Sequence, residues 1–173
     1  MNALCFGYYQ SPIGLIEIAG TSRAVVALDF VERYRDHYAS SGIMQGAVQQ
    51  IEEYFNGTRL EFDLAIDPQG TDFQKAVWRQ LLRIPFGQTA SYGDIARAIG
   101  NPKAVRAVGG ANGRNPISLV VPCHRIIGSD GSLTGYAGGL WRKEWLLKHE
   151  GVALEGVRKR PSGFPSEVRV RTL

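Results

Sequence analysis

Metal-binding and disulfide chemistry have little to work with in this chain. It carries only two cysteines, Cys5 and Cys123, and three histidines, His37, His124 and His149, in 173 residues. Two cysteines cannot build a disulfide framework, and no set of ligands has tetrahedral metal spacing. No apolar run approaches the ~20 residues of a membrane span. Met1-Asn2-Ala3-Leu4 lacks the basic, apolar and small-residue zones of a secretory signal. A cytoplasmic, reducing setting is therefore expected, without membrane contact. Walker and dinucleotide glycine motifs are missing too, since Gly128, Gly131 and Gly135 follow neither pattern. There is no internal repeat and no low-complexity block.

What is present is the composition of a globular protein, with 44% hydrophobic and 21% charged residues, enough to bury a core without staples. Glycine is plentiful, at 21 residues, which points to tight turns or close backbone approaches. The net charge of +4 is unevenly spread. Residues 1–70 hold 4 basic and 9 acidic side chains, residues 71–157 hold 11 and 6, and residues 158–173 hold 5 and 1. Between Arg97 and Arg125 there are five basic residues and no acidic one. A basic second half suits an anionic partner, nucleic acid first among them, or is a solvated basic face.

The expected fold class is α+β, with a small N-terminal antiparallel-sheet-plus-helix unit and a mainly helical, winged helix-turn-helix domain after it. Residues 4–9, 13–19 and 24–30 read as strands, broken by Ser11-Pro12 and Gly20-Thr21-Ser22. Residues 43–55 read as a helix closed by Asn56-Gly57. This gives a first domain over 1–57 and a linker over 58–70. The second domain, over 71–157, opens on a capping box, Thr71-Asp72-Phe73-Gln74. Ser91-Tyr92-Gly93-Asp94 caps a short helix, and Asn101-Pro102 starts another that runs to about Gly113. Two short helices joined by a tight turn make a helix-turn-helix. The second is rich in small residues: Ala104, Ala107, Gly109, Gly110 and Ala111, with Arg106 the long exception. Close packing of another helix is the commoner cause of such a surface, and a nucleic-acid groove is the other. The apolar run 117–121 reads as a buried strand, Ser129–Ser132 as a turn of a hairpin or wing, and residues 140–150 as a final helix. Residues 158–173, basic and with two prolines, read as a disordered tail.

Cys123 is the candidate nucleophile. It sits at the exit of the apolar run, after Pro122, with His124 and Arg125 adjoining. A thiol reacts as thiolate, and neighbouring bases favour that form. Glu150 on the last helix can reach His124 and orient it, giving a Cys–His–Glu relay. Cys5 lies on a strand and reads as core. The plain structural alternative is a buried cysteine beside a solvent-facing His-Arg pair.

Val121-Pro122-Cys123-His124-Arg125-Ile126-Ile127 resembles the signature of the O6-alkylguanine-DNA alkyltransferases. The resemblance runs from about Thr71 to Gly151. It includes Arg106-Ala107-Val108-Gly109-Gly110-Ala111, Asn115-Pro116 and Lys143-Glu144-Trp145-Leu146-Leu147. In the first domain, Ser11-Pro12-Ile13-Gly14 is similar to the family's first turn. The resemblance implies a DNA repair protein that moves an alkyl group from guanine O6, and by extension thymine O4, to Cys123, once per molecule. It implies His124 as a base acting through water with Glu150 behind it, and Arg125 in a structural ion pair. Tyr92 would help rotate the nucleotide and protonate guanine N3. Arg106 would fill the gap left by the flipped base, with Ala107, Gly110 and Asn115 also at the DNA. Asn115, Ile126, Tyr136 and Ala137 would line the base pocket; Ala137 departs from the serine of some members and leaves only a backbone N–H for O6. The partner implied is duplex DNA bound from the minor groove by a monomer. No cofactor is expected, and no zinc, because of the zinc ligands of some relatives only Cys5 has a counterpart. A winged-helix regulator with Cys123 as a sensor, a cysteine hydrolase and a non-enzymatic lesion binder are the competing readings.

Overall fold

The computed structural model describes residues 3–36, 38–155 and 171–172, and the chain divides into two compact units, residues 1–69 with 169–173 and residues 70–168. No helix among the described residues is long and apolar enough to cross a membrane.

The first unit is a sheet covered by one helix. Strands β1 (Cys5–Ser11), β2 (Gly14–Gly20) and β3 (Val25–Val31) form an antiparallel meander. Helix α1 (Gly42–Phe55) lies on β1 and β2, with Met44, Ala47, Ile51 and Tyr54 fully buried. Ser41 caps it by accepting from the Met44 N–H. Residues 58–70 do not behave as a linker. Phe62, Leu64, Ile66 and Pro68 alternate buried against more open neighbours, the two-residue period of extended chain along a core. Strand β4 (Ala65–Ile66) pairs in parallel with β3. Most of the basic tail lies outside the described residues. Within it, Arg171–Thr172 pairs in parallel with β4 as the outer strand, so these two residues depart from the disorder expected of them.

The second unit is mostly helical. Helix α2 (Asp72–Leu81) opens on the Thr71–Gln74 capping box and buries Val77, Trp78 and Leu81. Strand β5 (Ala90–Ser91) leads into α3 (Tyr92–Ala98), whose N-terminus is a second capping box, Ser91 with Asp94. Helix α4 (Val105–Gly113) follows, tied to α2 by the Trp78 indole donating to the Ala111 carbonyl at 2.9 Å. A short 3-10 helix (Cys123–Arg125) leads into β6 (Ile126–Ile127), which pairs in parallel with β5. Helix α5 (Leu140–His149) ends the unit.

Two expectations are corrected here. The helix expected from Pro102 begins at Val105, and Asn101 does not cap it. Gly100, at φ +76°, ends α3, and the Asn101 N–H closes back on the Ala96 carbonyl at 3.0 Å. Asn101 then starts a turn, with its carbonyl accepting from Ala104 N–H, so its backbone serves the end of one helix rather than the start of the next. The run 117–121 is buried as expected but is not a strand. It coils: Val121 N–H bonds Ile117 O at 3.0 Å, and Leu119 takes a φ of 69°. Asn115 stitches the coil shut, accepting from Ile117 N–H and donating to Val121 O at 2.8 Å. A leucine takes a positive φ only where its surroundings hold it there, and the side chain is 1% exposed.

Candidate active site

The coil delivers Cys123 to the first position of the 3-10 helix, where it is buried. Its carbonyl accepts from the Asn112 side chain of α4 at 3.5 Å. Neither it nor Cys5 is in a disulfide. The next residue, His124, is fully buried, and its Nε2 lies 2.7 Å from Glu150 Oε1 at the end of α5. Glu150 is crowded with donors. Arg125 Nε reaches Oε2 at 2.8 Å, Arg125 Nη2 reaches Oε1 at 3.0 Å, and Gly87 N–H reaches Oε2 at 3.2 Å. The third guanidinium nitrogen donates to the Ile84 carbonyl at 2.6 Å. Buried carboxylates persist in this way, when paired and hydrogen-bonded on both oxygens.

The charges follow from this packing. Burial opposes ionisation of Glu150, but the charges and hydrogen bonds of His124 and Arg125 outweigh it and hold the carboxyl far below the usual range. Burial pushes His124 down; Glu150 pulls it back in part, and Arg125 and Lys143 press it further down. With burial the largest influence and Arg125 opposing Glu150, His124 is neutral at neutral pH. With Nε2–H donated to Glu150, Nδ1 keeps a lone pair, and it has no hydrogen-bond partner among the described residues. A thiol at the head of a turn, a neutral imidazole with an open nitrogen, and a fixed carboxylate behind it can together make a thiolate.

The other expected residues are placed as follows. Tyr92 opens α3, and its hydroxyl donates to the Thr134 carbonyl at 3.2 Å. Asn115 holds the coil that presents Cys123. Ile126 is buried on β6, Tyr136 is half-buried in the loop before α5, and Ala137 is exposed there. Arg106 and Ala107 are exposed on α4, Gly110 is half-buried, and neither Lys103 nor Arg106 is in an ion pair among the described residues. The small residues of α4 are not all explained by packing. A Cβ at Gly113 would meet nothing within 4 Å, and one at Gly109 would make ordinary contact with the Tyr92 ring at 3.8 Å.

Sequence reasoning missed three parts of this site. Asn112 and Gly87 carry no signal that a linear pattern reveals. Lys143 does carry one. It falls on the α5 stripe of Lys143, Leu146, Leu147 and Glu150, spaced as one helix face, and it is fully buried. Its ammonium donates to the Thr134 carbonyl at 2.7 Å, the same oxygen that Tyr92 uses. Burial pushes the Lys143 pKa down to about 8, against a smaller upward pull from Cys123.

Comparisons with known proteins agree along most of the chain. The family model for the DNA binding domain of 6-O-methylguanine DNA methyltransferase matches residues 72–152, and that for its ribonuclease-like domain matches residues 4–68. The methylated-DNA–protein-cysteine methyltransferase of Methanosarcina barkeri is 50% identical over 147 residues, 82% of this chain and 93% of that protein. Its counterpart from Mycobacterium tuberculosis is 50% identical over 146 residues, 82% and 88% of the two chains. The crystal structure of the M. tuberculosis O6-methylguanine methyltransferase superposes with a TM-score of 0.78 at 44% identity, covering 91% of this chain and 97% of that one. The M. tuberculosis protein in complex with DNA gives 0.77 at 49% identity, covering 84% and 91%. With both domains matched in order, the chain belongs to the 6-O-methylguanine DNA methyltransferase family.

Proposed function

We propose that the chain repairs O6-alkylguanine in DNA by taking the alkyl group onto Cys123, irreversibly and once per molecule. The observation that carries this is the buried Cys123–His124–Glu150–Arg125 array, in which a neutral imidazole is held at one nitrogen and open at the other. The thiol proton passes to His124 Nδ1 through a water, and the imidazolium is stabilised by Glu150. The thiolate then attacks the alkyl carbon in line. The S–C bond forms as the C–O6 bond breaks, and the electron pair returns to guanine. Guanine leaves poorly as an anion, so a proton from the Tyr92 hydroxyl to N3 eases its departure. Thymine O4 presents the same kind of alkyl ether, and we extend the proposal to it.

A base in the stack cannot reach a buried cysteine, so the nucleotide is flipped, at a cost of a few kcal/mol. The open surface of α4 suits a narrow groove, with Arg106 in the vacated stack and Ala107, Gly110 and Asn115 alongside. Asn115, Ile126, Tyr136 and the Ala137 N–H would receive the base. Binding from the minor groove, by a monomer and without sequence readout, suits a search for damage. A reducing cytoplasm keeps the thiol available.

The product is a thioether, which offers water no polarised carbonyl to attack. Duplex DNA containing O6-methylguanine should therefore transfer one equivalent per chain at any excess. Mass spectrometry should place the methyl group on the Pro122-Cys123-His124 peptide and none on Cys5. The Cys123→Ser chain should still bind alkylated duplex and transfer nothing. Multiple turnovers, as a hydrolase would give, or label on another residue, would refute the mechanism.

A further inference from the structure

Lys143 is a charged group that this mechanism leaves unused. A lysine stem alone does not explain its position, because the ammonium itself is inside: the residue has no exposed surface. Of its three N–H donors, one is satisfied among the described residues, by the neutral Thr134 carbonyl. A buried cation with a single neutral partner is costly unless a counter-charge is near. The groups around it are those of the site. Helix α5, which carries it, packs against the 3-10 helix of Cys123, His124 and Arg125. Glu150, the carboxylate on the same face of α5 as Lys143, is taken up by Arg125 and His124. Tyr92 shares the Thr134 oxygen through its hydroxyl. Against burial, the Cys123 side chain favours the charged form of Lys143, and Lys143 in turn presses His124 towards neutrality.

We propose that Lys143 is a positioning residue whose buried ammonium is the counter-charge for the Cys123 thiolate. The inference rests on the assignment of Cys123 as the alkyl acceptor. The proton lost by the thiol goes to His124; Lys143 keeps its own protons throughout and supplies charge only. It thereby does two things for one step, lowering the cost of the thiolate and keeping His124 ready to accept. The competing explanation is that Lys143 merely tethers the Thr134 loop.

Thiol titration separates the two. In a Cys5→Ser background, the ultraviolet absorbance of the Cys123 thiolate and its rate of reaction with iodoacetamide are followed against pH. Lys143→Met and Lys143→Gln should raise the midpoint by about one to two pH units, the usual effect of losing one close opposite charge. Reactivity at neutral pH should fall roughly tenfold or more, and return at alkaline pH. A tether would leave the midpoint where it was. Because a variant at a buried site can fail to fold, the reciprocal titration is done with Lys143 in place. Lysine side-chain NMR should show the Lys143 midpoint falling in Cys123→Ser relative to the wild-type chain. An unchanged cysteine midpoint in the folded variants, or an unchanged Lys143 midpoint in Cys123→Ser, overturns the proposal. Neither titration contains DNA, so a chain that failed to accept alkyl groups would leave both results standing.

Discussion

Replacing Arg125 by methionine keeps much of the buried stem and removes the guanidinium that lies 2.8 and 3.0 Å from the two Glu150 oxygens. The Ile84 carbonyl loses its 2.6 Å donor at the same time. Breaking one side of a buried ion pair costs about 3–5 kcal/mol, because the remaining charge is left without compensation. Here the loss should sit at the lower end, about 3 kcal/mol, since His124 lies 2.7 Å from the same carboxylate and can take up a proton in place of the lost cation. That relief has a functional consequence. After burial, the Arg125 charge is among the influences that keep His124 neutral. Without it, and with Glu150 still anionic, the imidazole pKa should rise.

A protonated imidazole cannot accept the Cys123 proton, so the variant's rate should fall away at a higher pH than the wild type's and recover as pH rises. The assay is the single-turnover rate of methyl transfer from O6-methylguanine duplex across acid to alkaline pH, beside urea denaturation. The expected result is a lower stability together with a rate profile displaced to higher pH. A destabilised variant whose rate profile keeps its wild-type midpoint would show that Arg125 props the fold without setting the charge of His124. Unchanged stability would refute the ion-pair argument itself.

Other perturbations test other parts of the structure. Arg106→Ala should slow repair of duplex DNA far more than reaction with free O6-alkylguanine, which needs no flipping; equal slowing in the two assays would mean that Arg106 supports the pocket. Gly87→Ala should cost about 2–3 kcal/mol in urea denaturation, since Gly87 sits at φ +74° and its Cβ would come 2.8 Å from the Glu150 carbonyl oxygen. A neutral outcome there would mean that the Gly87 turn yields easily. His124 titrates lower in the folded chain than in the unfolded one. Its contribution to stability is therefore full above the unfolded value of about 6.5 and is lost as pH falls, at about 1.4 kcal/mol per unit. From about pH 6.5 downwards the wild-type chain should lose stability that His124→Gln does not lose, read from urea midpoints at about pH 6.5 and 5.

The features legible in the sequence are those written in a few neighbouring residues. The Thr71–Gln74 and Ser91–Asp94 boxes are local hydrogen-bond patterns, and both form. The same logic misplaced the start of α4, because a cap is a claim on one backbone position and Asn101 was already claimed by the end of α3. Apolar content foretold the burial of residues 117–121 but not their path. Burial is a property of composition, whereas the coil depends on one side chain, Asn115, bonding both of its ends. Residues 58–70 depart from the linker expectation for the opposite reason. Their turn residues, Asp67-Pro68-Gln69-Gly70, drew the boundary, while the alternation of Phe62, Leu64 and Ile66 just before it carried the fold.

The site divides along the same line. Cys123, His124 and Arg125 are contiguous, and the structure puts Glu150 against His124 and Arg125. Lys143 belongs to that group and was readable by the same helical spacing, since it stands seven residues before Glu150 on one face. It escaped because a lone lysine in an apolar stripe is ordinarily a stem that snorkels to water. What distinguishes this one is the length of the chain left to run. Helix α5 abuts the 3-10 helix of Cys123, and the ammonium ends buried at the Thr134 carbonyl. A sequence shows that a charge lies on a buried face; only the packing of the neighbouring element shows whether the charge can leave. Where it cannot, a neighbouring group must answer it, and that role is the one proposed for the nucleophile.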